Sequence, residues 1–330
     1  MTDETENPLV SIIVPVYNVG EYVRPCVKSL LDQTYMNIEI LIINDGSTDN
    51  SVDVVKAAAA GDSRLKILNK ENGGLSSARN YGTERCTGDY IMYVDGDDLI
   101  DASAVEHMVG AAETHKVPLV AAAFAKVAPL TNYELNECVS FSIEPSRERL
   151  RRLLLLDGES GSACGKLYAR SLISLLKFPE GQLFEDLGVV ARIYSQIDEA
   201  AITNAPFYAY LTRPNSITTI KKQGSRHAND MDKAILQVGE AVGDAFENEF
   251  ECFRAFCTLR VAMRIDLSIF EDREAGEQYL RRAREYARAA SNNPLVSRTW
   301  RLRCALFAAS PAAHNALYSL YGRISGKAIG

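Results

Sequence analysis

The sequence lacks the features that mark several classes of protein. Its seven cysteines are scattered and form no Cys-x-x-Cys pair, which argues against a disulfide framework or a zinc site and fits a reducing cytoplasm. The longest leucine run, Leu153–Leu156, is too short to span a bilayer. The first eight residues have no basic segment followed by an apolar one, so we expect no secretory signal. The 330 residues, 47% hydrophobic and 24% charged, have the composition of a globular protein.

Several nucleotide-binding and catalytic motifs are also missing. No Gly-x-Gly-x-x-Gly follows the first apolar run, and this absence argues against a dinucleotide-binding fold of the dehydrogenase kind. A Walker loop is absent. Gly165-Lys166 could supply the Gly-Lys of that motif, but the glycine required five positions earlier is replaced by Ser160. No Gly-x-Ser-x-Gly elbow is present either. Any nucleotide binding or catalysis by this chain would therefore depend on residues outside these three motifs.

Charge is unevenly distributed along the chain. Residues 281–330 contain nine Lys or Arg and one Glu, a net charge of +8, whereas the other 280 residues carry −15. An acidic body with a basic tail is not typical of a protein that reads double-stranded DNA. The tail contains Trp300 and apolar residues among its arginines, so it suits an anionic membrane surface. An ordinary helical extension, packed on the catalytic domain or on a second subunit, is the alternative interpretation, which we slightly favour.

Apolar runs alternate with helical patterns over the first 125 residues. Strands are predicted at 9–16, 38–43, 65–68, 90–94 and 118–124, and helices lie between them. This order predicts an α/β fold with a mostly parallel central sheet flanked by helices. Further helices are predicted at 146–156, 167–176 and 185–196, and short extended pieces near residues 201 and 207–211. From residue 227 the pattern is helical, so we expect a catalytic domain at 1–225 and a helical C-terminal extension at 226–330.

Polar residues follow four of the predicted strands. They form the segments Pro15–Asn18, Asn44–Asp49, Asn72–Asn80 and Asp95–Asp98. Open parallel sheets bind ligands beyond the carboxyl ends of their strands. The sequence therefore predicts a ligand site at this edge.

The segment Asp95-Gly96-Asp97-Asp98 is the sharpest of these signals. Three carboxylates within four residues repel one another unless a cation or a proton neutralises them. Hard oxygen ligands suit Mg²⁺ or Mn²⁺. A solvated turn that caps the following helix is an equally good interpretation of the segment alone.

The other polar segments are ambiguous when taken singly. Asp45 with the glycine and serine after it could be a turn that caps a helix. Arg79 could be a surface residue, although arginine matches phosphate geometry well. Glu185 and Asp186 could be first-turn acids favoured by the dipole of the helix that they begin. The order of the four polar segments after four successive strands is more informative than any one of them alone.

Taken together, these motifs resemble those of family 2 glycosyltransferases of the GT-A fold, especially enzymes that build bacterial cell-surface polysaccharides. The resemblance is specific over residues 8–125. It continues more thinly to about residue 220 through Gly165–Tyr168, Phe184–Asp186 and Tyr208–Ile217. Beyond residue 225 it says little.

The resemblance implies a role for each matching residue at the donor side. Pro15, Tyr17 and Asp45 would hold the nucleotide base, with Asp45 accepting a hydrogen bond from a uracil N–H. The nucleotide and phosphate side would be lined by Asn72, Gly73, Arg79 and Asp95. Asp97, with Asp95, would bind the Mn²⁺ or Mg²⁺ that bridges the diphosphate.

The resemblance also implies the acceptor side. Asp186 would be the catalytic base, with Glu185 as the alternative base or as an acceptor-positioning residue. Asp98 would support the donor sugar or the turn. Lys166 and Arg213 would approach phosphate or acceptor.

These residue types fit an inverting transfer of a hexosyl or N-acetylhexosaminyl group from a nucleotide-sugar to a hydroxyl. The family resemblance implies that the donor is UDP-linked. The metal would assist departure of the diphosphate and the carboxylate would deprotonate the acceptor, a growing surface glycan or a lipid-linked molecule. One displacement inverts the anomeric centre. A nucleotidyltransferase and a non-catalytic binding module with the same nucleotide fold are the alternatives. We expect a cytoplasmic protein, with peripheral contact to the inner face of the membrane and a homo-oligomeric state left open.

Overall fold

The computed structural model of the chain describes residues 7–127, 139–212 and 222–317. These residues form two compact units. The first consists of the described residues of Met1–Arg147 and Ser162–Arg213, and the second of those of Glu148–Gly161 and Pro214–Gly330. The segment 148–161 was predicted to be part of the catalytic domain, whereas here it packs with the C-terminal helices. The boundary at residue 225 stays a prediction.

Eleven strands are present among the described residues, all of them in the first unit. In chain order they are β1 Val10–Val16, β2 Ile38–Asp45, β3 Leu65–Lys70, β4 Tyr90–Tyr93, β5 Leu99–Ile100, β6 Leu119–Ala121, β7 Phe124–Val127, β8 Ser142–Pro145, β9 Lys166–Ala169, β10 Glu199–Ile202 and β11 Tyr208–Leu211. Eight form one sheet in the order β3-β2-β1-β4-β9-β6-β10-β8, and three form another in the order β5-β11-β7.

Ten α-helices have both of their ends within the described residues. In chain order they are α1 Val23–Leu31, α2 Ser51–Ala59, α3 Leu75–Thr83, α4 Ala104–His115, α5 Ser146–Leu155, α6 Glu185–Gln196, α7 Ser225–Val242, α8 Glu247–Ala262, α9 Arg273–Ser291 and α10 Arg298–Ala309. A 3-10 helix occupies Arg170–Leu175. No helix in the described ranges is both long enough and apolar enough to cross a membrane.

The large sheet is mostly parallel, as predicted. Strand β1 pairs in parallel with β2 and β4, β2 with β3, and β6 with β10. Every residue of β1 and β2 is buried, as expected for central strands that are covered on both faces. Helix α3 can approach them closely because Gly82 has no side chain: a Cβ there would lie 2.5 Å from Cγ2 of Ile13. This close packing fixes the position of α3 relative to the carboxyl ends of β1 and β2.

Two predicted elements are wrong. Residues 167–176 were predicted to be a helix, but the strand β9 occupies Lys166–Ala169 and only Arg170–Leu175 is helical, as a 3-10 helix. It inserts antiparallel between β4 and β6, where its first three residues are fully buried. Pairing with both neighbours outweighs the helical pattern. The predicted strand 118–124 also ends at Ala121, and Phe124 begins β7 in the smaller sheet.

The second unit is helical in its described residues, as predicted. Arg151 of α5 donates to Glu249 of α8 at 3.1 Å, which explains why α5 packs with these helices. Arg284 of α9 donates to the carbonyl oxygen of Ala308 near the end of α10 at 3.0 Å. The Trp300 ring packs against Phe256 with centroids 4.7 Å apart. Trp300 therefore contributes to packing within this unit.

Candidate active site

The carboxyl ends of β1, β2 and β4 meet at one edge of the sheet, and most of the predicted site residues lie there. The loop after β1 is tied to the loop after β2 by Asn18, whose side-chain oxygen accepts from the backbone N–H groups of Thr48 (2.9 Å) and Asp49 (3.3 Å). Pro15 lies within buried β1, whereas Tyr17 leaves half of its surface exposed. Tyr17 is thus accessible to a ligand at this edge.

Asp45, at the end of β2, is buried in a ring of hydrogen-bond donors. Its Oδ1 accepts from Nζ of Lys70 at 2.6 Å and from the N–H of Gly73 at 3.0 Å, and its Oδ2 accepts from the N–H of Gly74 at 2.8 Å. The Asn72 side chain donates to the Asp45 carbonyl oxygen at 2.9 Å. We call Asp45, Lys70 and Asn72–Gly74 the Asp45 cradle. Asp45 is therefore held by the loop after β3 and does not cap α2.

The residue of the cradle that sequence reasoning missed is Lys70. Strand β3 was predicted to end at residue 68, which left Lys70 in a loop with no assigned partner. The strand in fact continues to Lys70, and the parallel register pairs Asp45 directly with Lys70. Extending the predicted strand by two residues would have placed the two side chains beside each other.

The three carboxylates of Asp95-Gly96-Asp97-Asp98 have different surroundings. Asp98 is buried, and it accepts from the Tyr208 hydroxyl at 2.7 Å and from the Leu211 N–H at 2.8 Å. Burial, followed by the charges of Asp95 and Asp97, raises the pKa of Asp98 to about 8. The contacts of Asp98 thus join β11 to the turn, while its support of a donor sugar stays a prediction.

Asp95 and Asp97 are only partly buried. The Asp95 side chain retains 30% of its exposure, and its backbone N–H donates to the Tyr208 hydroxyl at 3.1 Å. Gly96 packs against the end of β1, because a Cβ there would lie 2.8 Å from the Pro15 carbonyl oxygen. In the sequence Tyr208 was named only as the start of the segment Tyr208–Ile217, and its contacts with the triplet were not predicted.

Arg79, on α3, is the buried centre of a carboxylate cluster. One of its terminal nitrogens donates to Oε1 of Glu185 at 3.0 Å and to Oδ1 of Asp186 at 2.6 Å, and the other donates to Oδ1 of Asp95 at 3.0 Å. Only 1% of the Arg79 side chain is exposed. We call these four residues the Arg79 cluster.

The electrostatics of the Arg79 cluster follow from its burial. Desolvation alone would lower the pKa of Arg79, but the charges of Asp186 and Asp95 above all hold it well above the ordinary value. Burial, and then the neighbouring charge of Asp186, raises the pKa of Glu185 to about 7. One guanidinium thus contacts three carboxylates, and Glu185 is the member of the cluster that burial pushes towards the protonated form.

Glu185 and Asp186 begin α6, as predicted, and Arg79 links them to Asp95 of the acidic triplet. The backbone turns sharply before them, because Phe184 adopts a left-handed conformation with φ of 60°. Asp186 is fixed through both oxygens: Oδ1 contacts Arg79, and Oδ2 accepts from the Ala163 N–H at 3.0 Å. The contacts of Glu185 and Asp186 with Arg79 span more than 100 residues of sequence, so a helix-dipole explanation alone does not account for the pair.

The remaining predicted residues are less informative. Lys166 is buried at the start of β9, and its Nζ donates to the Ser162 carbonyl oxygen at 2.8 Å. Arg213 lies outside the described residues. The roles of both towards phosphate or acceptor stay predictions.

The fit of a divalent cation depends on Asp95 and Asp97. Within the described ranges, no three His, Cys, Asp or Glu side chains form a ready-made ion site. Mg²⁺ is commonly held by one or two carboxylates, with substrate phosphates and water completing the shell. Two partly exposed carboxylates beside a cluster with an excess of negative charge fit that donor set.

The fold and this edge define the class of protein. The chain is similar to the crystal structure of TarS 1–349 from S. aureus with a TM-score of 0.64 and 17% identity, covering 96% of this chain and 92% of that one. It is also similar to the mannosyltransferase PcManGT from Pyrobaculum calidifontis, with a TM-score of 0.55 and 16% identity over 94% and 88% of the two chains. The predicted GT-A type of α/β fold is confirmed.

The family follows from the sequence itself. Residues 11–175, half of the chain, match the profile of glycosyl transferase family 2, and the chain belongs to that family. The glycosyltransferase GlyA of Streptococcus pneumoniae is 32% identical over 250 residues. That alignment covers 66% of this chain and only 33% of GlyA, so the chain spans about a third of this longer relative.

Proposed function

We propose that this chain is an inverting glycosyltransferase that moves a sugar from a UDP-linked donor to a hydroxyl of a growing surface glycan or a lipid-linked acceptor. The observation that carries the proposal is the Arg79 cluster. It brings Asp95 of the acidic triplet next to Glu185 and Asp186 of α6, at the sheet edge where α3 begins in the Asp45 cradle. A donor-binding turn and a candidate base are thereby held by one guanidinium.

The donor nucleotide would lie along the ends of β1, β2 and β4. Asp45 would accept the N–H of the base, Tyr17 would cover the base face, and Asn72 and Gly73 would line the nucleotide. The exposed ring of Tyr17 and the buried Asp45 carboxylate support this arrangement. TarS, which is similar in fold, has been crystallised with UDP-GlcNAc, which favours a nucleotide-sugar at this fold.

Asp97 and Asp95 would hold a divalent cation, Mn²⁺ or Mg²⁺. When bound, the ion neutralises charge that develops on the departing diphosphate. PcManGT was crystallised with GDP-Man and Mn²⁺, which makes a divalent ion a reasonable proposal for this fold. Arg79 would keep Asp95 oriented, since its guanidinium nitrogen lies 3.0 Å from one Asp95 oxygen.

Asp186 would remove the proton from the acceptor hydroxyl, with Glu185 as the alternative base. Asp186 is held in one orientation by Arg79 and by the Ala163 N–H, which favours precise placement of the base. Glu185 has a pKa near 7, which suits proton transfer at neutral pH. Comparing Asp186→Asn with Glu185→Gln identifies the base, because its loss lowers turnover and removes the acid limb of the pH profile.

Calorimetric titration of UDP, with GDP as the control nucleotide, tests the proposal. We expect UDP to bind in Mn²⁺, to bind more weakly in EDTA, and to bind more weakly again to Asp97→Asn. If neither nucleotide binds under any condition, the donor-site proposal fails and a non-catalytic binding module becomes the better interpretation. Release of pyrophosphate from a nucleoside triphosphate would indicate a nucleotidyltransferase instead.

We also propose that the protein is cytoplasmic and that its C-terminal unit contacts the membrane surface. Leu302 of α10 is 65% exposed, with Arg298 exposed one turn before it, in the segment of net charge +8. A surface of this kind suits an anionic bilayer. Flotation with anionic liposomes, with and without Leu302→Ser, tests the contact. Sedimentation of the same samples shows whether the surface is instead used between copies of the chain.

A further inference from the structure

The Asp45 carboxylate has only one acceptor position left for a ligand. An ionised carboxylate offers about four lone-pair positions. Three are taken, two on Oδ1 by Lys70 and Gly73 and one on Oδ2 by Gly74. The Asp45 side chain is 3% exposed, so water does not exchange freely with these donors. The remaining position lies on Oδ2.

Lys70 leaves one donor at the same place. Its ammonium carries three N–H groups. One donates to Oδ1 of Asp45 at 2.6 Å and one to the Glu71 carbonyl oxygen at 2.6 Å. The third has no hydrogen-bond partner among the described residues. The Lys70 side chain is only 13% exposed, which keeps its head group beside Asp45.

The space for this head group depends on Gly73. A Cβ at position 73 would lie 3.0 Å from Nζ of Lys70 and 2.6 Å from Oγ of Ser77. Any side chain there would displace the ammonium or the start of α3. The parallel register of β2 and β3 fixes Lys70 opposite Asp45. The pair is thus a rigid combination of one acceptor and one donor.

We propose that Lys70 determines the choice of nucleobase, by filling one acceptor position of Asp45 and by donating to a base carbonyl oxygen. This inference rests on the proposed function, because it needs the base to bind at Asp45. Uracil presents one N–H between two carbonyl oxygens, which matches one acceptor beside one donor. Guanine presents two adjacent N–H donors beside its carbonyl, and the second donor would find no acceptor on Asp45. The cradle therefore selects uracil over guanine.

Nucleotide titration of matched variants tests the assignment. Wild type is expected to prefer UDP over GDP, and Lys70→Met to narrow that preference by about tenfold or more, because UDP loses a charged donor and GDP gains an acceptor. Lys70→Arg should retain the preference, since it keeps the charge and the donors. Lys66→Met is the control: it lies on the same strand, with a side chain that is 60% exposed and pairs with Glu39.

A second measurement begins with wild-type protein, so its first result does not depend on how the variants fold. UDP analogues with sulfur in place of either base carbonyl oxygen are weaker acceptors, so one of the two should bind several-fold more weakly than UDP. In Lys70→Met that difference should disappear. Equal losses of UDP and GDP affinity in Lys70→Met, or equal binding of both analogues to wild type, would overturn the assignment while leaving the proposed function intact. Failure of wild type to bind UDP at all would overturn both.

Discussion

The Asp45 cradle and the Arg79 cluster have opposite ratios of hydrogen-bond donors to carboxylates. In the cradle, three donors surround one carboxylate, which leaves little acceptor capacity. In the cluster, three carboxylates share one guanidinium, which leaves negative charge unbalanced. A region saturated with donors suits a neutral ligand edge such as a nucleobase. A region with excess negative charge suits a cation or a proton in transit. Helix α3 connects the two sites, because it begins directly after Gly74 of the cradle and carries Arg79 at its middle.

Removal of Arg79 is expected to have the largest effect on the free energy of unfolding. Arg79→Met leaves three carboxylates near one another without a cation, so we expect the free energy of unfolding to fall by about 3–5 kcal/mol. Urea denaturation measures the loss. Arg85→Met, at an exposed arginine just after the same helix, should change stability by no more than about 0.5 kcal/mol. A small effect of Arg79→Met would mean that the carboxylates are already neutralised by protons.

Changing Asp45 tests the donor-rich side. Asp45→Asn places an amide N–H₂ against donors and leaves Lys70 without its counter-charge, so we expect a loss of about 2 kcal/mol of stability. UDP binding should fall in the same variant. The matched control is Asp53→Asn on α2, whose side chain is 84% exposed. If UDP affinity survives while stability falls, Asp45 is structural and the base lies elsewhere.

Glu39 offers a donor-rich carboxylate away from the proposed site. It accepts from the Ser11 hydroxyl at 2.6 Å and from the Thr87 N–H at 2.6 Å. Burial raises its pKa, but these hydrogen bonds outweigh that effect and hold the pKa below the ordinary value. Its contribution is therefore present above about pH 4.5 and is lost as the pH falls through the lowered pKa.

Glu39→Gln should cost about 1–2 kcal/mol at pH 7, because a charged acceptor is lost. Thermal unfolding from pH 7 to pH 3 measures the effect, and the difference between wild type and variant should shrink towards pH 3. A difference that stays constant with pH would show that packing, rather than charge, stabilises this position.

Asp98→Asn is expected to give the smallest effect. Burial raises its pKa to about 8, so an uncharged side chain is well tolerated there at neutral pH. Asp98→Asn keeps an oxygen for the Leu211 N–H and should cost less than about 1 kcal/mol. Asp98→Ala removes the acceptor of both that N–H and the Tyr208 O–H and should cost about 2 kcal/mol. Equal losses in the two variants, measured by urea denaturation, would argue for a charged Asp98.

The sequence predicts the strands that carry the site better than it predicts what surrounds each side chain. Strands β1, β2 and β4 are continuous apolar runs, so the polar residues at their ends could be assigned to one edge. Helix α6 was predicted at its observed bounds. The partners of Arg79 could not be predicted, because Asp95, Glu185 and Asp186 meet it only through the tertiary fold. Lys70 and Tyr208 were missed for the same reason: each contacts a carboxylate that the chain brings close from a different strand.

The position of β9 has a consequence for how the chain folds during synthesis. This strand lies in the middle of the large sheet, between β4 and β6, although it is made about 75 residues after β4 ends. Until residue 169 has left the ribosome, β4 presents an unpaired edge, which is a template for wrong pairing. Asp186 is synthesised later still, so the partners of Arg79 are complete only after β9 has been made. We therefore expect nascent chains that stop before β9 to aggregate rather than to persist as stable intermediates.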